Sequence, residues 1–362
     1  MLARMSAFSS LIGPTMADSW PMAQVMADMS AVPVGHAIDL AFFFPDGGRD
    51  RHDALITETR RHLGGCMTAI EIGLRLALEE RPQVAAALAQ WPQPVCWPTL
   101  CAQPTLLGPA LLAHMQMRGG VSLMLRQFGR PDGDHGEAEP IFPSDDAVVG
   151  EAVAALALAE GRWLMTGAED QPMQADLPAG HFAELLWTAT ACLAALVQRS
   201  GLVEAEAVLP LFEAAGQAML ARHDEAAGPI AAADRLVRIM GERGDAPELL
   251  GAALGQRQFL LFVALAGRRL RMESAQIADI LVMGPVAQVA ALCRALGGSD
   301  SDYRQLLLAL RPVRPSLSDA MLLGEATRYQ ELTVERADAA VGAMRAPAPL
   351  RAKLDHLRRI AG

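Results

Sequence analysis

The sequence predicts an all-α protein: stacked amphipathic helices forming a solenoid-like or multi-helical bundle array. Three observations carry that prediction. Apolar residues recur at spacings of three and four along most of the chain, the period of a helix with one buried face. No run shows sustained two-residue alternation between hairpin turns, and only two tyrosines are present, so sheet is not expected. Gly and Pro interrupt the periodic segments at short intervals, leaving brief connectors as in helical arrays. No fixed repeat of about 30 to 45 residues is evident.

Residues 1–35, rich in Met, Ser and Pro, read as a disordered or loosely packed N-terminus. Residues 36–130 read as an N-terminal helical domain. Its first helix runs from about Asp50 to Glu80 on Leu55, Leu63, Met67, Ile70, Leu74 and Leu78, with Gly64-Gly65 as a kink or split. Pro92 to Pro98 reads as too proline-dense for a helix, and Thr105–Met117 and Val121–Phe128 as two shorter helices. The acidic Gly/Pro loop 131–144 marks a boundary. Residues 145–311 form a central and C-terminal helical domain. It opens with a helix capped by Ser144, led by Asp145 and Asp146, striped by Val149, Val153 and Leu156, and ended by Gly161.

The clearest helix spans Gly180 to Arg199, with Phe182, Leu185, Leu186, Ala189, Leu193, Leu196 and Val197 on one face and Gly201 at the stop. Val203–His223, bent at Pro210, Pro229–Glu242 and Pro247–Leu254 follow, Pro229 suiting a first turn. Gln256–Arg269, Ser274–Val282, Pro285–Leu296 and Ser301–Leu310 come next, the last with Ser299 and Asp302 spaced as a capping box. Residues 312–362 supply C-terminal helices: a long one from Ser318 to Arg345 and a short basic one from Pro349 to Ile360.

The chain has 362 residues, 52% hydrophobic and 20% charged, with a net charge of −10. This is a globular composition, and its sign argues against an extended nucleic-acid surface. Lys353 is the single lysine, far from any glycine-rich turn, and asparagine is absent. P-loop, protein-kinase and Schiff-base chemistries all need a lysine elsewhere, so they are excluded. Without asparagine, N-glycosylation is impossible. The five scattered cysteines Cys66, Cys96, Cys101, Cys192 and Cys293 read as free buried thiols of a reducing compartment. Met1–Ser30 lacks the continuous apolar core of a signal peptide, and no stretch approaches 18 consecutive apolar residues. The expectation is a soluble cytoplasmic protein with no membrane partner.

Two regions carry a family resemblance. One is Asp39-Leu40-Ala41-Phe42-Phe43-Phe44-Pro45-Asp46-Gly47-Gly48 with Arg51-His52-Asp53-Ala54-Leu55-Ile56 and the helix to Ile70-Glu71-Ile72-Gly73-Leu74-Arg75. The other is Phe259 to Ala266, Ile277 to Leu281, Leu292-Cys293-Arg294-Ala295 and Leu306-Leu307-Leu308. Together they resemble the bacterial domain of unknown function 2336 over most of residues 36–311. The resemblance implies an all-helical bacterial protein, repeat-like in some members, and supplies no catalytic residues.

Four constellations are candidates for chemistry. His181, His223, Asp224 and a later Asp279 or Asp300 imitate the ligand order of an HD-type metal phosphohydrolase, in which a divalent ion activates water. A second His-Asp doublet occurs at His52-Asp53. His223 also stands at a helix C-terminus, where a cation is favourable anyway. Asp132 to Glu139 is dense in oxygen ligands but lacks the calcium-loop spacing. Cys96, Cys101 and His114 want a second pair for zinc. Residues 256–311 read as helix-turn-helix, seven arginines opposing four carboxylates, yet only Gln276 would face base edges and Asp279 would repel phosphate.

No residue is therefore assigned a catalytic, cofactor-binding or metal-binding role, and no cofactor is expected. The function expected is a noncatalytic scaffold or adaptor that binds other proteins in regulation or signalling. The alternatives are the metal phosphohydrolase and the nucleic-acid binder. Leu322, Tyr329 and Leu332, and Leu350, Leu354 and Leu357 beside Arg351, Arg358 and Arg359, are the expected docking stripes.

Overall fold

The computed structural model describes residues 54–128, 146–165, 167–314 and 317–346, together with Leu40, Ala41, Phe43, Phe44, Ile141, Leu350, Lys353, Leu354 and Leu357. Residues 1–35 and nearly all of the loop 131–144 lie outside that set. Among the described residues every regular element is a helix. In chain order they are α1 (Ala54–Ala77), α2 (Pro82–Leu88), α3 (Cys96–Ala102), α4 (Pro109–Phe128), α5 (Ala147–Leu164), α6 (Ala179–Ser200), α7 (Ala205–Arg222), α8 (Pro229–Met240), α9 (Pro247–Gly255), α10 (Phe259–Leu270), α11 (Ser274–Val282), α12 (Val286–Ala295), α13 (Asp300–Ala309), α14 (Asp319–Gln330) and α15 (Val334–Met344).

The helices bury two apolar cores, interleaved along the sequence. One gathers α1 to α3, the first half of α4, α6 and α7 around Leu63, Met67, Leu111, Leu185, Leu193 and Phe212. The other gathers the second half of α4, α5 and α8 to α15 around Val121, Trp163, Leu236, Phe259, Ile277 and Leu307. α4 is the shared strut, since Leu111, Leu112 and Met115 face the first core and Val121 and Met124 the second. α6 is long and apolar enough by length and composition to cross a bilayer. Its Phe182, Leu185, Leu186, Ala189, Leu193 and Val197 are instead buried in the first core, and Gly201 ends it at φ +66° as expected.

Two glycine pairs, Gly64-Gly65 and Gly119-Gly120, are points of close approach. α1 runs unbroken through Gly64-Gly65, because the backbone of Glu169 and Gln171 lies where Cβ atoms would sit. Thr105–Phe128 is likewise one helix from Pro109, not two. Gly119 lets Thr59 of α1 come within 2.9 Å of a would-be Cβ, and Gly120 does the same for Val282 of α11. Tertiary contact, absent from the local pattern, decides both cases.

Other boundaries differ for equally local reasons. Trp97 and Pro98 are helical, in α3: proline at the third position of a helix lacks an N–H that would have no intrahelical partner there. Asp146 caps α5, accepting from the N–H groups of Val148 and Val149, and the helix continues past Gly161 so that Trp163 is buried. The Ser318–Arg345 segment is two helices. Leu332 turns against the core, and Thr333 accepts from the Arg336 N–H to start α15. The Ser299–Asp302 capping box is formed in full, with Ser299 N donating to Asp302 Oδ2 at 2.8 Å.

Candidate binding cleft

α1 carries Glu58, Arg61 and His62 on one face, and α4 carries Arg118, Ser122 and Arg126 at four-residue spacing opposite them. Ser122 Oγ donates to Glu58 Oε1 at 2.6 Å and Arg126 Nη2 to the same oxygen at 3.0 Å, while Arg61 also pairs with Glu58. Arg61 Nη2 reaches the Trp163 carbonyl at 2.8 Å, tying in the end of α5. Arg118, wholly buried, donates through Nε to His62 Nδ1 at 2.8 Å and pairs through Nη1 with Asp176 at 2.5 Å. Asp176 also accepts from the Trp163 indole at 3.0 Å, and Arg118 lies 4.4 Å from the centre of that ring system.

Since Nδ1 of His62 accepts, its proton sits on Nε2, facing Glu58. Burial pushes His62 down to about 3 despite the Glu58 carboxylate, and Arg118 and Arg61 push the same way. Burial disfavours ionised Glu58, yet hydrogen bonds from His62, Arg61 and Ser122 outweigh it and hold the carboxyl well below its ordinary range. Both effects oppose acid. An unfolded chain takes up the His62 proton near pH 6.5 whereas the folded one waits until about 3, so stability falls as pH drops through that window. Glu58 adds its loss below its ordinary 4.5. Through His62 alone, urea unfolding is expected to lose about 2 kcal/mol between pH 6.5 and pH 5, and His62→Gln to show a slope shallower by that share.

The network braces one wall of an open cleft of about 520 Å³. His114 of α4, Trp163, Asp176 and Pro178 line one side. Gly228, Ile230, Asp234 and Val237 of α8 and its approach line another, with Met272, Glu273 and Ser274 before and within α11 opposite. Glu225, Arg238 and Arg268 complete the rim. Gly228 matters here: a Cβ would come 3.2 Å from Asp176 Oδ2, so glycine lets α8 begin against that carboxylate. Ser274 Oγ donates to Asp234 Oδ1 at 2.5 Å. Burial raises the Asp234 carboxyl above its usual value, Ser274 and Arg238 resisting. His114 is held down at about 3 by burial first and by His181 and Arg118 next, so its imidazole is neutral.

Of the histidines weighed as ligands, His181 sits 4.8 Å from His114, ring centre to ring centre. His223 instead stacks on Phe182 at 3.8 Å, with Nε2 2.7 Å from the Leu177 carbonyl. Asp224 caps a short 3₁₀ turn through the Ala226 N–H. Among the described residues no three His, Cys, Asp or Glu side chains gather as a metal site. His52, Asp53 and the acidic loop 132–139 lie outside the described residues. Cys96 points its thiol to the Ala189 carbonyl and neighbours Cys192, Cys101 lies against Arg60, and all five cysteines are free. Gln276, the one base-reading candidate, donates to the Met344 carbonyl at 2.6 Å, and Arg268 is held by Asp245 at 2.7 Å. Both helices of this segment, α10 and α11, bury their apolar faces in the second core.

The expected docking stripes divide. Tyr329 is 1% exposed, stacked on Tyr303 at 4.2 Å, and Leu322 and Leu332 are half-buried on the same core. That stripe packs inward because Arg294 covers Tyr329, 3.9 Å from the ring centre, and donates to its carbonyl. Leu350, Leu354 and Leu357 remain exposed.

Residues 172–342 match the family model DUF2336, described as an uncharacterised protein conserved in bacteria. The segment from the connector before α6 to α15 is thus similar to that bacterial family. The C-terminal half of the expected resemblance, Phe259 to Leu308, falls inside the match, and Asp39 to Arg75 falls outside it. No curated protein and no solved structure gives a significant match.

Proposed function

We propose that this protein is a noncatalytic helical adaptor that engages other proteins. The observation that carries the reading is the stripe Leu350, Leu354 and Leu357, exposed by 50%, 42% and 60% at spacings of four and three. Such a stripe is the anchor pattern of a helix laid into a partner's apolar groove. The fate of the ionisable groups supports it from the other side. Glu58, Arg61, His62, Arg118 and Asp176 are consumed in bracing the fold, and His223 is tied to a main-chain carbonyl.

Affinity capture from native bacterial extract tests the proposal, comparing wild type with the full chain carrying Leu350→Asp, Leu354→Asp and Leu357→Asp. All three positions are exposed, so the variant keeps its helical circular dichroism. A partner recovered stoichiometrically with wild type and depleted roughly tenfold with the variant is the expected result. Equal recovery from both, or a stoichiometric divalent metal with phosphoester turnover, overturns it.

A further inference from the structure

We infer that the cleft between α4, α8 and α11 is a binding site for an organic cation: a guanidinium or ammonium group on a short apolar stem. Four carboxylates line it, Asp176, Glu225, Asp234 and Glu273, against the guanidinium groups of Arg238 and Arg268. The balance is more negative than those numbers suggest. Arg268 is already held by both oxygens of Asp245, each at 2.7 Å. Asp176 is neutralised from behind by Arg118 at 2.5 Å. That leaves Glu225, Asp234 and Glu273 facing the single uncommitted guanidinium of Arg238.

Asp234 is the natural anchor. It is half-buried, takes one hydrogen bond from Ser274, and makes no ion pair among the described residues. A carboxylate placed so carries a desolvation cost that an incoming cation relieves. His114 supplies the independent sign that something belongs there. It lines the cleft half-buried, its ring 4.8 Å from that of His181, and neither ring nitrogen hydrogen-bonds another side chain or carbonyl among the described residues. A neutral imidazole accepts an N–H from a cation without repelling it. Ile230, Val237, Met272 and Pro178 provide apolar surface for the stem. The volume, about 520 Å³, is in the range of small-molecule sites.

Two probes titrated calorimetrically into the full-length protein test this and separate the sources of such a group. Agmatine stands for a free small cation, and N-acetyl-Gly-Arg-Gly-amide for an arginine presented by a partner chain. At least one is expected to bind one per chain, more weakly as salt rises, with affinity cut roughly tenfold by Asp234→Asn. The tighter of the two identifies the source. Butylurea, neutral and of similar shape, serves as a control that needs no folded variant and is expected not to bind. No binding of either cation up to ~10 mM, equal affinity in Asp234→Asn, or equal binding of butylurea overturns the inference.

Discussion

Arg118→Met is expected to destabilise the protein by about 3–5 kcal/mol, read as a lower urea midpoint. The side chain is wholly buried and contacts four partners at once: His62, Asp176, the Gln174 carbonyl and the Trp163 ring. Methionine fills much of the volume, so packing is not the main loss. What remains is the Asp176 carboxylate, buried with only the Trp163 N–H as a side-chain donor. An unpaired buried charge is among the costliest single defects available to a protein. The double variant Arg118→Met/Asp176→Leu is therefore expected to regain most of the stability, since it removes both charges together. If the double variant is less stable than Arg118→Met alone, the pair is not what braces this wall.

The second large effect lies where α4 crosses α11. Gly120→Ala is expected to cost about 1–3 kcal/mol, although alanine is the better helix former by about 1 kcal/mol. A Cβ at that position overlaps Val282 Cγ1, and valine in a helix has little rotamer freedom to move away. Gly120→Ala/Val282→Ala is expected to recover part of that loss by emptying the contested space. Calorimetric melting of the single and double variants decides the matter. A stabilised Gly120→Ala protein contradicts the close approach of the two helices.

Much of this fold was legible from helical periodicity alone. α6 declared itself through seven apolar residues on one face and a glycine stop, all of which the structure keeps. α11 begins and ends at Ser274 and Val282 as the pattern predicts, and Ser299 and Asp302 form their capping box. The glycine failures share one cause. Gly64, Gly65, Gly119 and Gly120 look like breakers within a short window, and only the partner element that closes on each gives it a different meaning. Pro98 differs from the pattern by position, not type, because the first turn of a helix tolerates it.

The cleft was harder to read. Its carboxylates come from residues 176, 225, 234 and 273, which share no sequence spacing and meet only through the packing of α8 on α10 and α11. In sequence His114 pairs most readily with Cys96 and Cys101, whereas in the fold its companion is His181. The buried network did leave a trace. Glu58 and His62 stand four apart on the apolar face that carries Leu63 and Met67, and Arg118 and Ser122 interrupt the stripe of Met115, Val121 and Met124. Charged residues at core positions on two helices are a signal of mutual pairing.

The adaptor reading rests on the Leu350–Leu357 face meeting another protein, and the chain carries its own probe of that event. Lys353 is the sole lysine, exposed within the stripe, so an amine-directed photo-crosslinker attaches there and, apart from the α-amino terminus, nowhere else on the chain. Irradiation in native extract, followed by peptide mass spectrometry, is expected to yield a discrete protein adduct through Lys353 that vanishes when Leu350, Leu354 and Leu357 are changed to aspartate. An absence of any Lys353 adduct, or one unchanged by those substitutions, would contradict the adaptor assignment.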